Sequence, residues 1–112
     1  MPWLPKDARC GVYEVWENRA AKSGRKIPLQ VVVLPATGPK RLPDPIVYFA
    51  GGPGAPSIGE GAGFAMGAPE LRKDRDVLLI DSRGTGQSAA LDCPELRGDG
   101  IPERDALGIL KD

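Results

Sequence analysis

The chain has 112 residues, a length at which a single compact core is expected. Hydrophobic residues make up 41% of it and charged residues 27%, as in an ordinary globular protein. Fifteen basic residues balance fifteen acidic ones, so no net positive field would recruit nucleic acid. No stretch approaches the ~20 apolar residues that span a bilayer, and no signal peptide is recognisable. We therefore expect neither a nucleic-acid partner nor a membrane span.

The absence of histidine removes several kinds of catalytic site. A Ser-His-Asp triad, a Cys-His pair and a His-ligated metal all need an imidazole. The two cysteines, Cys10 and Cys93, are too few and too distant in sequence to indicate a zinc site. We expect no metal, no cofactor and no complete triad within these residues.

Apolar patterning predicts four strands in an α/β fold. Residues 11–17 are rich in β-branched and aromatic side chains, which favour a strand. In residues 27–34 every second residue is apolar and shares one face, which predicts a second strand. The two strands are predicted to form a hairpin around a loop at 18–26. In the second strand one face is predicted to carry Ile27, Leu29, Val31 and Val33. Residues 46–50 and 77–80 are short and continuously apolar, which is typical of parallel strands buried on both faces. Two such strands separated by a crossover favour α/β.

Glycine and proline cluster between these apolar runs, so we interpret them as turns and connections. Residues 35–45 predict a surface connection, residues 51–67 a glycine-rich segment, and residues 69–75 one or two helical turns. The tail has Pro102 at the first position of a predicted helix, which Gly108 weakens.

The third predicted strand runs into Gly51, Gly52, Pro53 and Gly54. Consecutive glycines let the backbone turn sharply and bring its N–H groups close to a bound atom. An oxyanion hole needs such donors where negative charge develops. Proline has no N–H, so Gly52 and Gly54 are the candidate donors. A tight turn that requires positive φ explains the same glycines without a catalytic role.

The fourth predicted strand runs into a loop from Asp81 to Ser88. We predict that Asp81 pairs with Arg83 to lock the loop, while Gly84 and Gly86 permit a tight reversal. A structural role, as a rigid turn at the functional edge of the sheet, is favoured over a catalytic one.

The two glycine motifs, in this order, resemble the prolyl aminopeptidase branch of the α/β-hydrolase family, including tripeptidyl-aminopeptidase-like members. The resemblance covers roughly residues 10–97. It implies that residues 1–9 are an N-terminal extension and residues 10–112 a partial hydrolase domain with an incomplete sheet, truncated before the nucleophile elbow. It also implies a serine peptidase that removes N-terminal residues, of the proline type, from peptides. Its implied partners are a peptide substrate and the remainder of the hydrolase domain.

By the same resemblance, residues 51–54 form one half of an oxyanion hole, with the Gly52 N–H as the first candidate donor. Two positions depart from the family: Ala50 stands where histidine is usual, and Ser82 where glutamine or proline is usual. Neither position is that of the catalytic histidine or the nucleophile. The missing histidine affects the positioning of the oxyanion loop.

Cysteines at matching places in secreted relatives are positioned to tie the first strand to the loop after the fourth. The resemblance therefore implies a disulfide between Cys10 and Cys93 and slightly favours an extracytoplasmic location. Two free thiols in a reducing cytosol are the alternative.

Two serines imitate the G-x-S-x-G elbow of the family. Ser57 lies in Ala-Pro-Ser-Ile-Gly and Ser88 in Gly-Gln-Ser-Ala-Ala. Each follows the end of its predicted strand by several residues, so neither sits on a strand-to-helix elbow. The nucleophile is expected beyond Asp112, and the 112 residues alone are expected to be inactive. A non-catalytic remnant or interaction fragment is the alternative, and within the fold an esterase or epoxide hydrolase.

The second loop also fits a loose dinucleotide-binding pattern through Gly84, Gly86 and Ala89. That pattern requires a following helix whose N-terminus holds a pyrophosphate. Pro94 would interrupt such a helix, so this interpretation is not favoured.

Overall fold

A computed structural model describes residues 1–91, which form a mixed four-stranded sheet with one α-helix in an α/β arrangement. The elements in chain order are β1 (Arg9–Trp16), β2 (Lys26–Leu34), β3 (Ile46–Tyr48), α1 (Ser57–Gly67), a 3₁₀ helix (Pro69–Arg72) and β4 (Val77–Ile80). The strand order across the sheet is β1-β2-β4-β3. The predicted tail helix and Cys93 lie outside the described residues.

β1 and β2 form the predicted antiparallel hairpin, with Trp16 opposite Lys26 at the turn end. The Asn18 side chain starts the turn, because its Oδ1 accepts the N–H groups of Ala20 and Ala21 at 3.1 and 3.2 Å. Lys26 places its Nζ 4.7 Å from the centre of the Trp16 ring, a cation–π contact across the pair.

β3 and β4 pair in parallel, with Ile46 opposite Val77, and α1 lies in the crossover between them. This confirms the predicted parallel pair. β3 is shorter than predicted and is not buried on both faces, because it lies at one end of the four-strand order and Val47 is 41% exposed. The two-sided burial predicted for this strand is therefore wrong for the part of the fold described.

Helix α1 occupies much of the segment in which the sequence indicated only a glycine-rich stretch. Four of its eleven residues are glycine, which is a poor helix former. The helix nevertheless buries Ile58, Ala62 and Ala65 against the sheet. Packing of one helical face outweighs local propensity here, as it commonly does in folded proteins.

α1 approaches the sheet most closely at Gly61. A Cβ built there would overlap the Cδ2 of Leu79 and lie 3.0 Å from the Cδ1 of Tyr48. Leu79 is fully buried, so its side chain would have to shift within the core. We expect Gly61→Ala to lower the free energy of unfolding by about 1–2 kcal/mol, since overpacking exceeds the gain in helix propensity.

The matched control is Gly63→Ala in the same helix, where a Cβ would have no neighbour within 4 Å. That change should raise the free energy of unfolding by up to about 1 kcal/mol. Urea denaturation measures both variants. Equal stability of the two would show that Gly61 does not limit how closely the helix packs.

The core lies between α1 and one face of the sheet, where Val32, Leu34 and Leu79 are fully buried. Leu29, Val31 and Val33 of β2 lie on the opposite face, as their alternation predicted, and are half-buried. The alternation thus identified which residues share a face. The position of α1 decided which face became the core.

The N-terminal residues are tied to the domain through Arg72, which is 7% exposed. Its Nε and Nη2 donate to the Pro35 carbonyl at 3.0 and 2.7 Å, and Nη2 also pairs with Asp7. Two further apolar residues of the predicted extension pack against the core: Leu4 and Ala8. The extension of residues 1–9 is therefore in contact with the sheet domain, and β1 begins at Arg9.

Asp76 anchors the connection between β2 and β3. Its Oδ1 accepts the Ala36 N–H at 2.8 Å, and its Oδ2 pairs with Arg41. The Ala36 hydrogen bond, followed by the Arg41 contact, lowers the pKa of Asp76 below its ordinary value of 3.8.

Because folding lowers this pKa, the carboxylate stabilises the fold fully above its unfolded-state value, and that contribution disappears as pH falls through the folded-state pKa. We expect the stability of Asp76→Asn to fall less steeply than that of the wild type on acidification below about pH 4. Urea midpoints between neutral and acid pH measure this. Asp44→Asn, whose side chain is 70% exposed, is the control and should follow the wild type. Parallel curves for Asp76→Asn and the wild type would contradict the expectation.

Candidate functional site

Three loops meet at one edge of the sheet. β3 and β4 are parallel, so the loops that follow them lie at the same edge. β2 is antiparallel to β4, so the hairpin turn before β2 also lies there. In open α/β sheets, ligands bind outside the carboxyl ends of the parallel strands. This edge is therefore the candidate site.

The loop after β3 is exposed and strongly turned at residues 51–54. Gly52 has a φ of +124° and Gly54 a φ of +94°, a region that favours glycine. The Ala55 N–H donates to the Gly51 carbonyl at 3.2 Å and tightens the turn. Among residues 1–91, the N–H groups of Gly52 and Gly54 meet no protein acceptor. The geometry suits both interpretations of these glycines, a tight turn and a pair of donors.

Ser57 holds the two ends of this loop together. It is the first residue of α1 and 3% exposed, and its Oγ accepts the Ala50 N–H at 3.2 Å. Residues 49–56 separate it from the end of β3, so it does not occupy a direct strand-to-helix elbow. The sequence indicates Ser57 only as a candidate nucleophile and does not reveal this anchoring contact, because the glycines of α1 hide the helix that begins there.

Asp81 joins the two loops from the end of β4. Its side chain is 2% exposed, with Oδ1 accepting the Ile58 N–H at 2.9 Å and Oδ2 accepting the Gln87 N–H at 3.1 Å. Ile58 lies in the first turn of α1, where a carboxylate satisfies a free amide and interacts favourably with the helix dipole. Asp81 thus fixes the start of α1 relative to the loop that follows β4.

The predicted pairing of Asp81 with Arg83 is wrong. Arg83 instead donates from Nη1 to the Glu17 carbonyl at 2.9 Å and from Nη2 to the Trp16 carbonyl at 3.3 Å. The carboxylate already accepts one amide of α1 and one amide of its own loop, whereas the guanidinium reaches the hairpin. Arg83 therefore links the loop after β4 to the end of β1.

Ser88 closes the loop after β4. It is fully buried, and its Oγ accepts the Gln30 N–H of β2 at 2.8 Å. Its carbonyl accepts the Gly84 N–H at 2.8 Å. Gly84 and Gly86 have φ values of +83° and +49°, and a Cβ at Gly86 would overlap the Asp81 carboxylate. These contacts make the loop a rigid turn that is hydrogen-bonded to β2. The Ser88 hydroxyl is buried.

Cys10 lies exposed on β1, while its implied partner Cys93 is outside the described residues, so the disulfide stays a prediction. Within residues 1–91, no group of three or more His, Cys, Asp or Glu side chains converges as a metal site would require. Neither helix in this part of the chain is long and apolar enough to cross a membrane.

Comparison with protein-family models gives no match to this chain. A search of curated proteins also finds no significant match.

Proposed function

We propose that this chain is the N-terminal part of a serine hydrolase of the α/β-hydrolase type, most similar to the aminopeptidase branch. In this proposal residues 51–54 supply an oxyanion donor for acyl transfer at the N-terminal residue of a peptide. The observation that carries it is the pair of Gly52 and Gly54 amides. They have no protein acceptor among residues 1–91 and lie at the carboxyl edge of a parallel strand pair.

The chemistry of acyl transfer explains why such a loop matters. As a nucleophile attacks the substrate carbonyl, negative charge develops on its oxygen, and N–H donors already in place stabilise that charge. The contacts of Ser57 with Ala50 and of Asp81 with Ile58 hold the loop before substrate arrives. A loop held in this way needs little reorganisation during the reaction, so its donors are already in position when the charge develops.

The remaining machinery must come from outside these residues. The chain has no histidine and therefore no general base of the triad type. Ser57 and Ser88 are both buried and both accept backbone hydrogen bonds. A nucleophilic serine and its partners are accordingly placed in a continuation of the sequence.

The first test is to sequence the source DNA on both sides of this reading frame. The expected result is a downstream G-x-S-x-G motif followed by Asp and then His. The expressed longer protein should react with a fluorophosphonate and should hydrolyse prolyl arylamides faster than simple acyl esters.

A stop codon directly after Asp112, with no fluorophosphonate reaction, would overturn the proposal and favour a non-catalytic interaction fragment. Reaction with the fluorophosphonate but preference for esters would keep the hydrolase and overturn the aminopeptidase assignment.

A further inference from the structure

Two arginines line a pocket at the candidate-site edge of the sheet. This pocket, here called the arginine pocket, has a volume of about 310 Å³. Its lining comprises Arg19, Leu29, Phe49, Ile80, Ser82 and Arg83. The lining thus holds two positive charges, one hydroxyl and three apolar side chains, and no carboxylate.

The pocket forms where the β1–β2 hairpin meets the loops that follow β3 and β4. The pairing of β2 with β4 begins at Val31, opposite Ile80, so the first part of β2, from Lys26, continues past the end of β4. The hairpin turn, with Arg19, therefore overhangs the edge at which ligands bind in open α/β sheets. Ser82 and Phe49 reach the same pocket from the two loops.

The charge of Arg83 is fixed in place but not neutralised. Its guanidinium donates to the carbonyls of Glu17 and Trp16, which are uncharged acceptors and use two of its five N–H groups. The three ion pairs formed within residues 1–91 all use other arginines. The Glu17 side chain does not line this pocket. Arg83 and Arg19 thus present two charges without a carboxylate partner in the part of the chain that is described.

This arrangement matches an organic carboxylate. Two cations that share a pocket repel each other, and an anion bound between them replaces that repulsion with attraction. A guanidinium pairs with a carboxylate through charge-assisted hydrogen bonds. The apolar walls from Leu29, Phe49 and Ile80 fit the hydrocarbon part of the molecule that carries the carboxylate.

The pocket lies within reach of the oxyanion loop. Phe49 precedes Gly52 by three residues, a length of chain that spans at most ~11 Å. Three residues of an extended peptide ligand span about the same distance. A short peptide whose carbonyl oxygen meets the Gly52 N–H can therefore place a carboxylate against the two arginines.

We propose that the arginine pocket binds a carboxylate in the part of the peptide that follows the scissile bond. Two sources supply the same group: the C-terminal carboxylate of a short peptide, and an acidic side chain near the scissile bond. The peptide as carrier rests on the proposed function. The binding of a carboxylate rests on the arginine pocket alone.

Three peptides of equal length test the proposal on the 112-residue chain. Pro-Leu-Leu carries a C-terminal carboxylate, Pro-Glu-Leu amide carries only a side-chain carboxylate, and Pro-Leu-Leu amide carries neither. Titrations followed by the Arg83 Nε–H and Ser82 N–H signals in nitrogen–proton NMR spectra give the dissociation constants. At least one carboxylate peptide should bind about tenfold more tightly than the neutral amide.

The outcomes separate the two sources of the carboxylate. Tighter binding of Pro-Leu-Leu assigns the pocket to the C-terminus, tighter binding of Pro-Glu-Leu amide assigns it to an acidic side chain, and equal affinities show that either source is accepted. Equal binding of all three peptides, or no saturable change in either signal, would overturn the proposal.

Arg19→Gln removes one charge from the arginine pocket without touching the fold. Arg19 is exposed, and its side chain makes no hydrogen bond or ion pair within residues 1–91. This variant should bind the preferred carboxylate peptide about tenfold more weakly and the neutral amide as before. Arg9→Gln, the same change at the opposite end of the hairpin, should leave both affinities unchanged. Equal losses of affinity in the two variants would show a general effect of charge and would contradict the pocket.

These measurements require no nucleophile, so they are independent of the catalytic test. A longer protein that fails to react with a fluorophosphonate would overturn the proposed function and would leave the dissociation constants as they are. Loss of the preference for carboxylate peptides would overturn only the role of the arginine pocket.

Discussion

Replacing Asp81 by alanine is expected to lower the free energy of unfolding by about 2–4 kcal/mol. The Asp81 carboxylate is 2% exposed and accepts the N–H groups of Ile58 and Gln87. Alanine would leave both amides without their acceptor, and an unsatisfied buried donor costs about 1–3 kcal/mol. The start of α1 would also lose the negative charge that interacts with its dipole. Urea denaturation followed by circular dichroism measures the change.

Two variants serve as controls for Asp81→Ala. Asp81→Asn keeps one carbonyl acceptor and should retain part of the lost stability. Asp44→Ala removes a carboxylate that is 70% exposed and pairs with Arg75 at 3.3 Å, and it should change stability by less than about 1 kcal/mol. If Asp81→Ala were as stable as Asp44→Ala, Asp81 would not be the tie between the two loops.

Replacing Gly52 by alanine is expected to reduce kcat of the longer, triad-bearing protein by about 10²-fold, the scale of losing one oxyanion donor. Gly52 has a φ of +124°, which strains any residue with a side chain. A Cβ there would also lie 3.1 Å from the Ala55 nitrogen. The loop would shift and move the Gly52 N–H from its position. Because the donor acts mainly in the transition state, KM should change little.

Gly59→Ala is the matched control for Gly52→Ala. It makes the same chemical change in the exposed part of α1, where a Cβ has no neighbour within 4 Å, and kcat should be unchanged. Thermal unfolding of both variants separates a loss of catalysis from a loss of fold. A folded Gly52→Ala protein with wild-type kcat would show that Gly52 is not the donor.

Local patterns in the sequence are sufficient to predict most strands of the sheet. The strand hairpin and the parallel pair were predicted because β-branched alternation and short apolar runs depend on neighbouring residues only. The glycine loops were located for the same reason, since positive φ at Gly52, Gly54, Gly84 and Gly86 is a local requirement.

Contacts between different elements of the fold are not predictable from local sequence patterns. Arg72 with Pro35, Ser57 with Ala50 and Asp81 with Ile58 each join different elements. The pairing of Asp81 with Arg83 was predicted from proximity in sequence. It was wrong because the amides nearest to the carboxylate belong to α1 and to the far end of the loop.

The sequence by itself therefore determined the strands, the glycine loops and the absence of a histidine-based triad in these residues. Only the tertiary structure decided that a glycine-rich segment becomes helix α1, and that Val32 and Leu34 rather than Val31 and Val33 face the core. The physical reason is the same in both cases. Burial of apolar surface between α1 and the sheet stabilises the helix and selects the face, and that energy exists only when the elements meet.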